Sequence, residues 1–190
     1  MAFQNLFKNV FLNNQDYKLK FVYENIETII YSMVCFFAPF FIGHPQIVVG
    51  VLVNASLVMA ALNVRTYKIL PVIIFPSLGV LSRGLIFGPF TIFLIYMIPF
   101  IWISNFILVY AIKKLNLSLK FNRWISLSIG IIFKSGFLFM IALLLVNMNI
   151  LPAIFLTTMG LIQVYTAVIG GIVAISVHEI KKRLFANSVK

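Results

Sequence analysis

The side chains able to do chemistry in this sequence are few, and most are set inside long apolar runs. Asn54 stands in the run 46–62, Asn105 in 85–112, Lys134 in 125–146 and Gln163 in 153–177. His44 lies within the break Gly43-His44-Pro45 and Gln46 follows it, Arg83 lies in Ser82-Arg83-Gly84, and Tyr165 follows Gln163 by two positions. An ammonium, a guanidinium and several amides form a donor-rich set suited to holding a solute that carries acceptors or negative charge. They do not form an acid–base pair. Asp16, Glu24, Glu27 and Glu179 all fall on the flanks of the apolar runs, so no carboxylate pair lies within a run. G-x-x-x-x-G-K-[ST], H-E-x-x-H and G-x-S-x-G are all missing, which removes P-loop hydrolysis and two common hydrolytic designs. Cys35, His44 and His178 fall at different depths on three segments, which argues against a shared metal site. One cysteine builds neither a disulfide framework nor an iron–sulfur cluster. The expectation is a binding protein without a catalytic set or a cofactor.

Depth makes the polar residues informative. At a rise of about 1.5 Å per residue, Asn54 lies about 12 Å into its run, and Lys134 and Gln163 about 15 Å into theirs. Three helices thus bring polar groups to one middle layer of a bilayer, where such groups are costly and serve either function or interhelical hydrogen bonding. Lys134 is the sharpest case. With no carboxylate at its depth, its head must lose its proton, snorkel, meet carbonyls or meet an anionic ligand. Arg83 on a face otherwise free of charge would steer an anion or rest on lipid phosphate. Singly, Asn54, Asn105 and Gln163 read more simply as interhelical hydrogen-bond partners, and His44 as a loop residue.

The elements that must position these groups follow from composition. Of 190 residues, 62% are hydrophobic and 10% charged, with a mean hydropathy of +1.08. A water-soluble fold of this size cannot hide so much apolar surface. Runs near 20 residues match the thickness of a membrane. The reading is an all-α membrane protein of about six transmembrane helices, at about 27–42, 46–62, 69–81, 85–112, 125–146 and 153–177. Residues 1–25 read as a basic amphipathic interfacial segment, 26–180 as the transmembrane domain and 181–190 as a basic tail. The first 25 residues show no uninterrupted apolar core of the kind a cleavable signal needs. Pro71, Pro76, Pro89, Pro99 and Gly170-Gly171 interrupt the spans, as kinks, close-packing points or cavity-lining breaks.

The formal charge of +11 lies in short clusters between spans, a pattern of membrane topology rather than nucleic-acid recognition. With both ends in the cytoplasm, 13 of the 15 Lys and Arg face inward, only Arg83 faces outward, and Lys134 is within a span. This favours an inner-membrane, multi-pass protein with cytoplasmic termini.

Taken together, Gly43-His44-Pro45-Gln46 leading to Gly50 and Val53-Asn54-Ala55, then Pro76-Ser77-Leu78-Gly79, Ile98-Pro99-Phe100 with Asn105, and Gln163-Val164-Tyr165-Thr166-Ala167 with Gly170-Gly171 resemble the S components of energy-coupling factor (ECF) transporters. The likeness covers roughly residues 27–178 and points to an S-component-like group of small prokaryotic membrane proteins. It implies a six-helix subunit that captures a vitamin, a precursor or a related micronutrient from outside and docks on a T component driven by ATPases. On that basis Lys134, Gln163, Asn54 and Arg83 would hold polar groups of the substrate, with Tyr165, Trp102 or Phe100 stacking on a flat ring. The alternative is a membrane scaffold or assembly subunit whose polar residues join helices and whose basic face binds anionic lipid or a partner. A membrane enzyme acting on lipid-linked substrates is a third reading, with no acid, base or metal set to support it.

Overall fold

The computed structural model describes residues 14–17, 21–42, 45–84 and 91–187. The described chain is an all-α membrane protein, with five helical stretches long and apolar enough to cross a bilayer. Helix α1 (Phe21–Phe37) runs on into a π-helical end at Ala38–Ile42, and α2 spans Gln46–Asn63. A 3-10 turn (Thr66–Ile69) leads into α3 (Leu70–Arg83). Helix α4 (Thr91–Ala111) also ends in π-helical turns, Ile112–Ser118, and α5 spans Arg123–Asn147. The short α6 (Ile154–Met159) and the long α7 (Leu161–Asn187) complete the bundle.

The apolar runs become helices because every backbone polar group must be paired within the segment when water is absent. Their outward faces are Ile, Phe, Leu and Val left bare for lipid, among them Ile132, Phe133 and Leu161.

Three boundaries differ from the sequence reading. The run at 69–81 forms α3, whose 14 residues reach about 21 Å and fall short of a full crossing. Pro71 fits at the start of this helix, where its missing N–H costs nothing. Gly84, at φ 78°, ends it. The run at 153–177 is broken at Gly160 into α6 and α7, and α7 continues past the apolar stretch to Asn187. The segment 1–25 is divided. Residues 1–13 and 18–20 lie outside the described residues, 14–17 pack on one end of the bundle, and 21–25 already belong to α1. Glu24 enters that helix because Arg65 Nη2 at 2.7 Å and Lys68 Nζ at 3.3 Å offset its charge.

Packing places the site. Helices α2 and α7 touch almost backbone to backbone at Gly50 and Gly170. A Cβ added at Gly170 would sit 2.7 Å from the Val51 carbonyl oxygen and 2.9 Å from Asn54 Cβ. One added at Gly50 would sit 2.7 Å from the Thr166 methyl. Such small-residue contacts are the usual means by which membrane helices approach closely. Two apolar clusters fill the interior. The larger, including Leu57, Val58, Leu62, Ile69 and Leu108, joins α1 to α4 with α5 and α7. The smaller, including Leu94, Met97, Leu138 and Phe155, joins α4, α5 and α6.

At one end of the bundle all four carboxylates are ion-paired. Asp16 meets Arg123 Nη2 at 3.1 Å, His178 Nε2 at 2.8 Å and Lys182 Nζ at 2.9 Å. Glu27 meets Lys181 Nζ at 2.6 Å, and Arg123 also pairs with Glu179. The start of α1 and the far end of α7 therefore share this face. The Asp16 N–H donates to the Leu62 carbonyl at 3.0 Å and the Gln15 side chain to the Asn63 carbonyl at 2.5 Å, capping α2. The hydrogen bond from His178, reinforced by Lys182 and Arg123, holds the Asp16 carboxyl well below the usual range despite partial burial. Burial, followed by the nearby Glu27 and Asp16 charges, pushes the Tyr17 phenol up.

Candidate functional site

Lys134 lies near the middle of α5 and is 2% exposed. Its ammonium does not snorkel. It donates to Asn54 Oδ1 of α2 at 2.5 Å. The Asn54 amide group in turn donates to the Gly50 carbonyl at 2.9 Å and to Thr166 Oγ1 of α7 at 3.2 Å. The Thr166 hydroxyl donates to the Gln163 carbonyl at 3.3 Å. A polar chain thus runs across three helices, and it exists because Gly50 and Gly170 let α2 and α7 close to the reach of a short amide.

This chain borders a cavity of about 110 Å³, whose polar lining is Gln46, Asn54, Asn105, Lys134, Gln163 and Thr166, with Ser77 beside them. Leu94, Leu138 and Met159 come from the smaller apolar cluster and Val53 from the larger, so the cavity lies where the two meet. It occupies the half of the bundle away from the ion-paired end. Its Gln46 opens α2, whereas Asn63 closes that helix against Glu27 at 2.9 Å. A space of this size holds several water molecules, since one needs about 10–15 Å³.

Asn105 and Ser77 join α3 to α4 beside the cavity. Pro76 interrupts α3 beside the cavity, and the Asn105 amide donates to the Ile73 carbonyl at 3.1 Å. Ser77 Oγ donates to the Ile74 carbonyl at 2.9 Å and accepts from Trp102 Nε1 at 2.6 Å.

Of the residues singled out in the sequence, Lys134, Asn54, Gln163, Gln46 and Asn105 are brought together on one cavity. Arg83 and Tyr165 are not. Arg83 is exposed and donates to the Phe40 carbonyl at 3.1 Å and the Phe41 carbonyl at 2.8 Å, so it caps the π-helical end of α1. Tyr165 is 67% exposed on the lipid-facing side of α7, one residue from the buried Thr166. Trp102 is held by Ser77, and Phe100 leans on Phe137, with ring centroids 6.5 Å apart, within the smaller cluster. Neither borders the cavity. His44 lies outside the described residues. Thr166 and Ser77 were not among the sequence candidates. A signal for Thr166 was its spacing, three positions after Gln163 and so on the same helix face.

The electrostatics are one-sided. No Asp or Glu borders the cavity, and among the described residues no carboxylate lies within ion-pair distance of Lys134. An ammonium has three donors, and one is spent on Asn54. The site can therefore add an acceptor to Lys134 without breaking the Asn54 chain. Among the described residues, no three His, Cys, Asp or Glu side chains come together as a metal set.

No family model matches this chain, and no curated protein or solved structure is detectably similar to it.

Proposed function

We propose that this chain is a membrane-embedded solute-binding subunit, S-component-like, that captures a small anionic or acceptor-rich solute for uptake. The observation that carries the reading is the buried Lys134 side-chain nitrogen. It faces a cavity without a carboxylate and is steadied by an amide from another helix. A charge at that depth is costly, and an entering anion would offset it. Gln46 and Gln163 would meet further polar groups of the solute. The cavity suits a compact molecule of a few heavy atoms, whereas vitamin-sized ligands call for about 300 Å³ or more. A vitamin or precursor would thus require the ends of α2 and α6 near Gln46 and Met159 to part on entry.

The positive-inside count favours an inner-membrane protein with both termini in the cytoplasm, so the cavity would open toward the outside. Uptake would be energised by a separate T component and ATPases, the chain itself carrying no P-loop. No chemical step is assigned to it. The scaffold reading draws on one observation: the Asn54 hydrogen bonds already tie α2, α5 and α7 together.

Thermal unfolding of the detergent-purified chain against small carboxylates, phosphate, vitamins and their precursors separates the two. The solute-binding reading expects one class to stabilise the wild type and to lose that effect in Lys134→Met. A panel in which no compound stabilises the wild type, together with a Lys134→Met variant that melts well below its parent, would leave the scaffold reading standing.

A further inference from the structure

At the ion-paired end, a second polar cleft of about 500 Å³ opens between the α4–α5 connection and α7. Its lining includes Asn116, Asn122, Arg123, Trp124, Glu179 and Arg183. It shares no residue with the Lys134 cavity. We propose that this cleft binds the phosphate head of an anionic phospholipid.

Charge complementarity is the main argument. Arg123 is committed on both sides, to Glu179 and to Asp16. Its Nε is buried without a hydrogen-bond partner among the described residues. Glu179 is turned to Arg123 and offsets it, so the cleft's remaining cation is Arg183. Arg183 is exposed and makes no ion pair among the described residues. Its planar fork of donors matches a phosphate with two parallel hydrogen bonds. The Asn116 and Asn122 side chains add further polar groups at the rim.

Position argues for lipid as the source of that phosphate. The cleft sits at the mouth of a bilayer-length helix, because Trp124 belongs to the first turn of α5. Trp124 is 50% exposed and its neighbour Ile125 54%. An amphipathic ring beside a bare aliphatic side chain is what the boundary between headgroups and hydrocarbon favours. The surrounding end carries more cation than its four carboxylates balance: Lys114 and Lys120 are exposed there and also lack ion pairs among the described residues.

The full chain, purified in a neutral detergent, would be titrated with phosphatidylglycerol, with phosphatidylcholine and with inorganic phosphate, and binding read by native mass spectrometry and thermal unfolding. Phosphatidylglycerol should bind and stabilise, and phosphatidylcholine should do neither. Arg183→Gln should weaken phosphatidylglycerol about fivefold, the effect of one basic residue at a membrane surface. Lys120→Gln, which removes another exposed cation from outside the cleft lining, should change it little. Equal losses in the two variants would overturn the proposal, since diffuse surface charge would then suffice. Stabilisation by inorganic phosphate equal to that by the lipid would overturn the lipid as the source. Arg183 is exposed at the far end of α7, so its substitution leaves the bundle interior intact, and retained wild-type melting in the absence of lipid checks this.

Discussion

Lys134 and Asn54, 80 positions apart in the chain, meet at 2.5 Å inside the bundle. The contact joins the centre of α5 to the centre of α2 at the wall of the cavity. Removing either partner has opposite consequences. A buried charge left unpaired is expensive, whereas replacing the charge by an apolar side chain of similar length is often neutral or favourable. Lys134→Met should therefore melt at or above the wild-type temperature while abolishing anion binding. Asn54→Leu should lose about 2–4 kcal/mol, because it strands the ammonium. Chemical or thermal unfolding in detergent, with ligand titration on the same samples, reads both.

The approach of α2 to α7 gives a second expectation. At Gly170, an added methyl meets the Val51 carbonyl oxygen at 2.7 Å and the Asn54 Cβ at 2.9 Å. Neither atom is the far end of a flexible side chain, so the helices must separate. Gly170→Ala should cost about 1–3 kcal/mol. It should also weaken solute binding, since Asn54 would no longer reach Thr166. An unchanged melting temperature would contradict the close packing.

Neighbouring positions on α7 should behave oppositely. Thr166 borders the cavity, and Tyr165 faces lipid. Thr166→Val, which keeps the shape and deletes the hydroxyl, should reduce solute affinity by a factor of about 10, the loss of roughly one hydrogen bond. Tyr165→Ala should leave affinity unchanged. Equilibrium binding on the two variants decides it.

Asp16 supplies a pH dependence whose sign is fixed by its partners. Its carboxyl is held below the ordinary range in the folded protein, so the folded state favours the ionised form. The stability it contributes is fully present above the unfolded-state value of about 3.9 and is lost as pH falls through the lower folded-state value. Asp16→Asn should cost about 1–3 kcal/mol at neutral pH. The gap between variant and wild type should narrow only when the medium is taken below about pH 4. Unfolding curves measured from pH 3 to 8, about the span that matters for a carboxyl, would show it. A gap independent of pH would mean that the ion pairs contribute nothing.

The helical layout was legible because hydrophobicity in a membrane is read by length, and length is explicit in a sequence. The shared depth of Lys134, Asn54 and Gln163 was legible for the same reason, as rise per residue converts position to height. Rotation was less so. Tyr165 and Thr166 differ by about 100° around α7, and only packing against α2 decides which turns inward. The short α3 was hidden because the Pro71 and Pro76 interruptions are compatible with either a kinked full span or a shallow helix. Arg83 illustrates a further limit. Its partners are the carbonyls of Phe40 and Phe41, which are left open by a π-helical ending that no side-chain pattern announces. The pairing of the carboxylates with Arg65, Arg123, Lys181 and Lys182 was likewise set by tertiary contact.

Residues 14–17 make contact with four of the long helices at one end, Asp16 reaching Arg123 of α5 among them. The Asp16 and Gln15 donors occupy the last carbonyls of α2, Asn14 accepts from Lys113 Nζ of α4 at 3.0 Å, and Asp16 grips His178 and Lys182 of α7. This knot of interlocked ions and amides fastens four helix ends to one short segment, so that none of them can part from the others without breaking a contact to it.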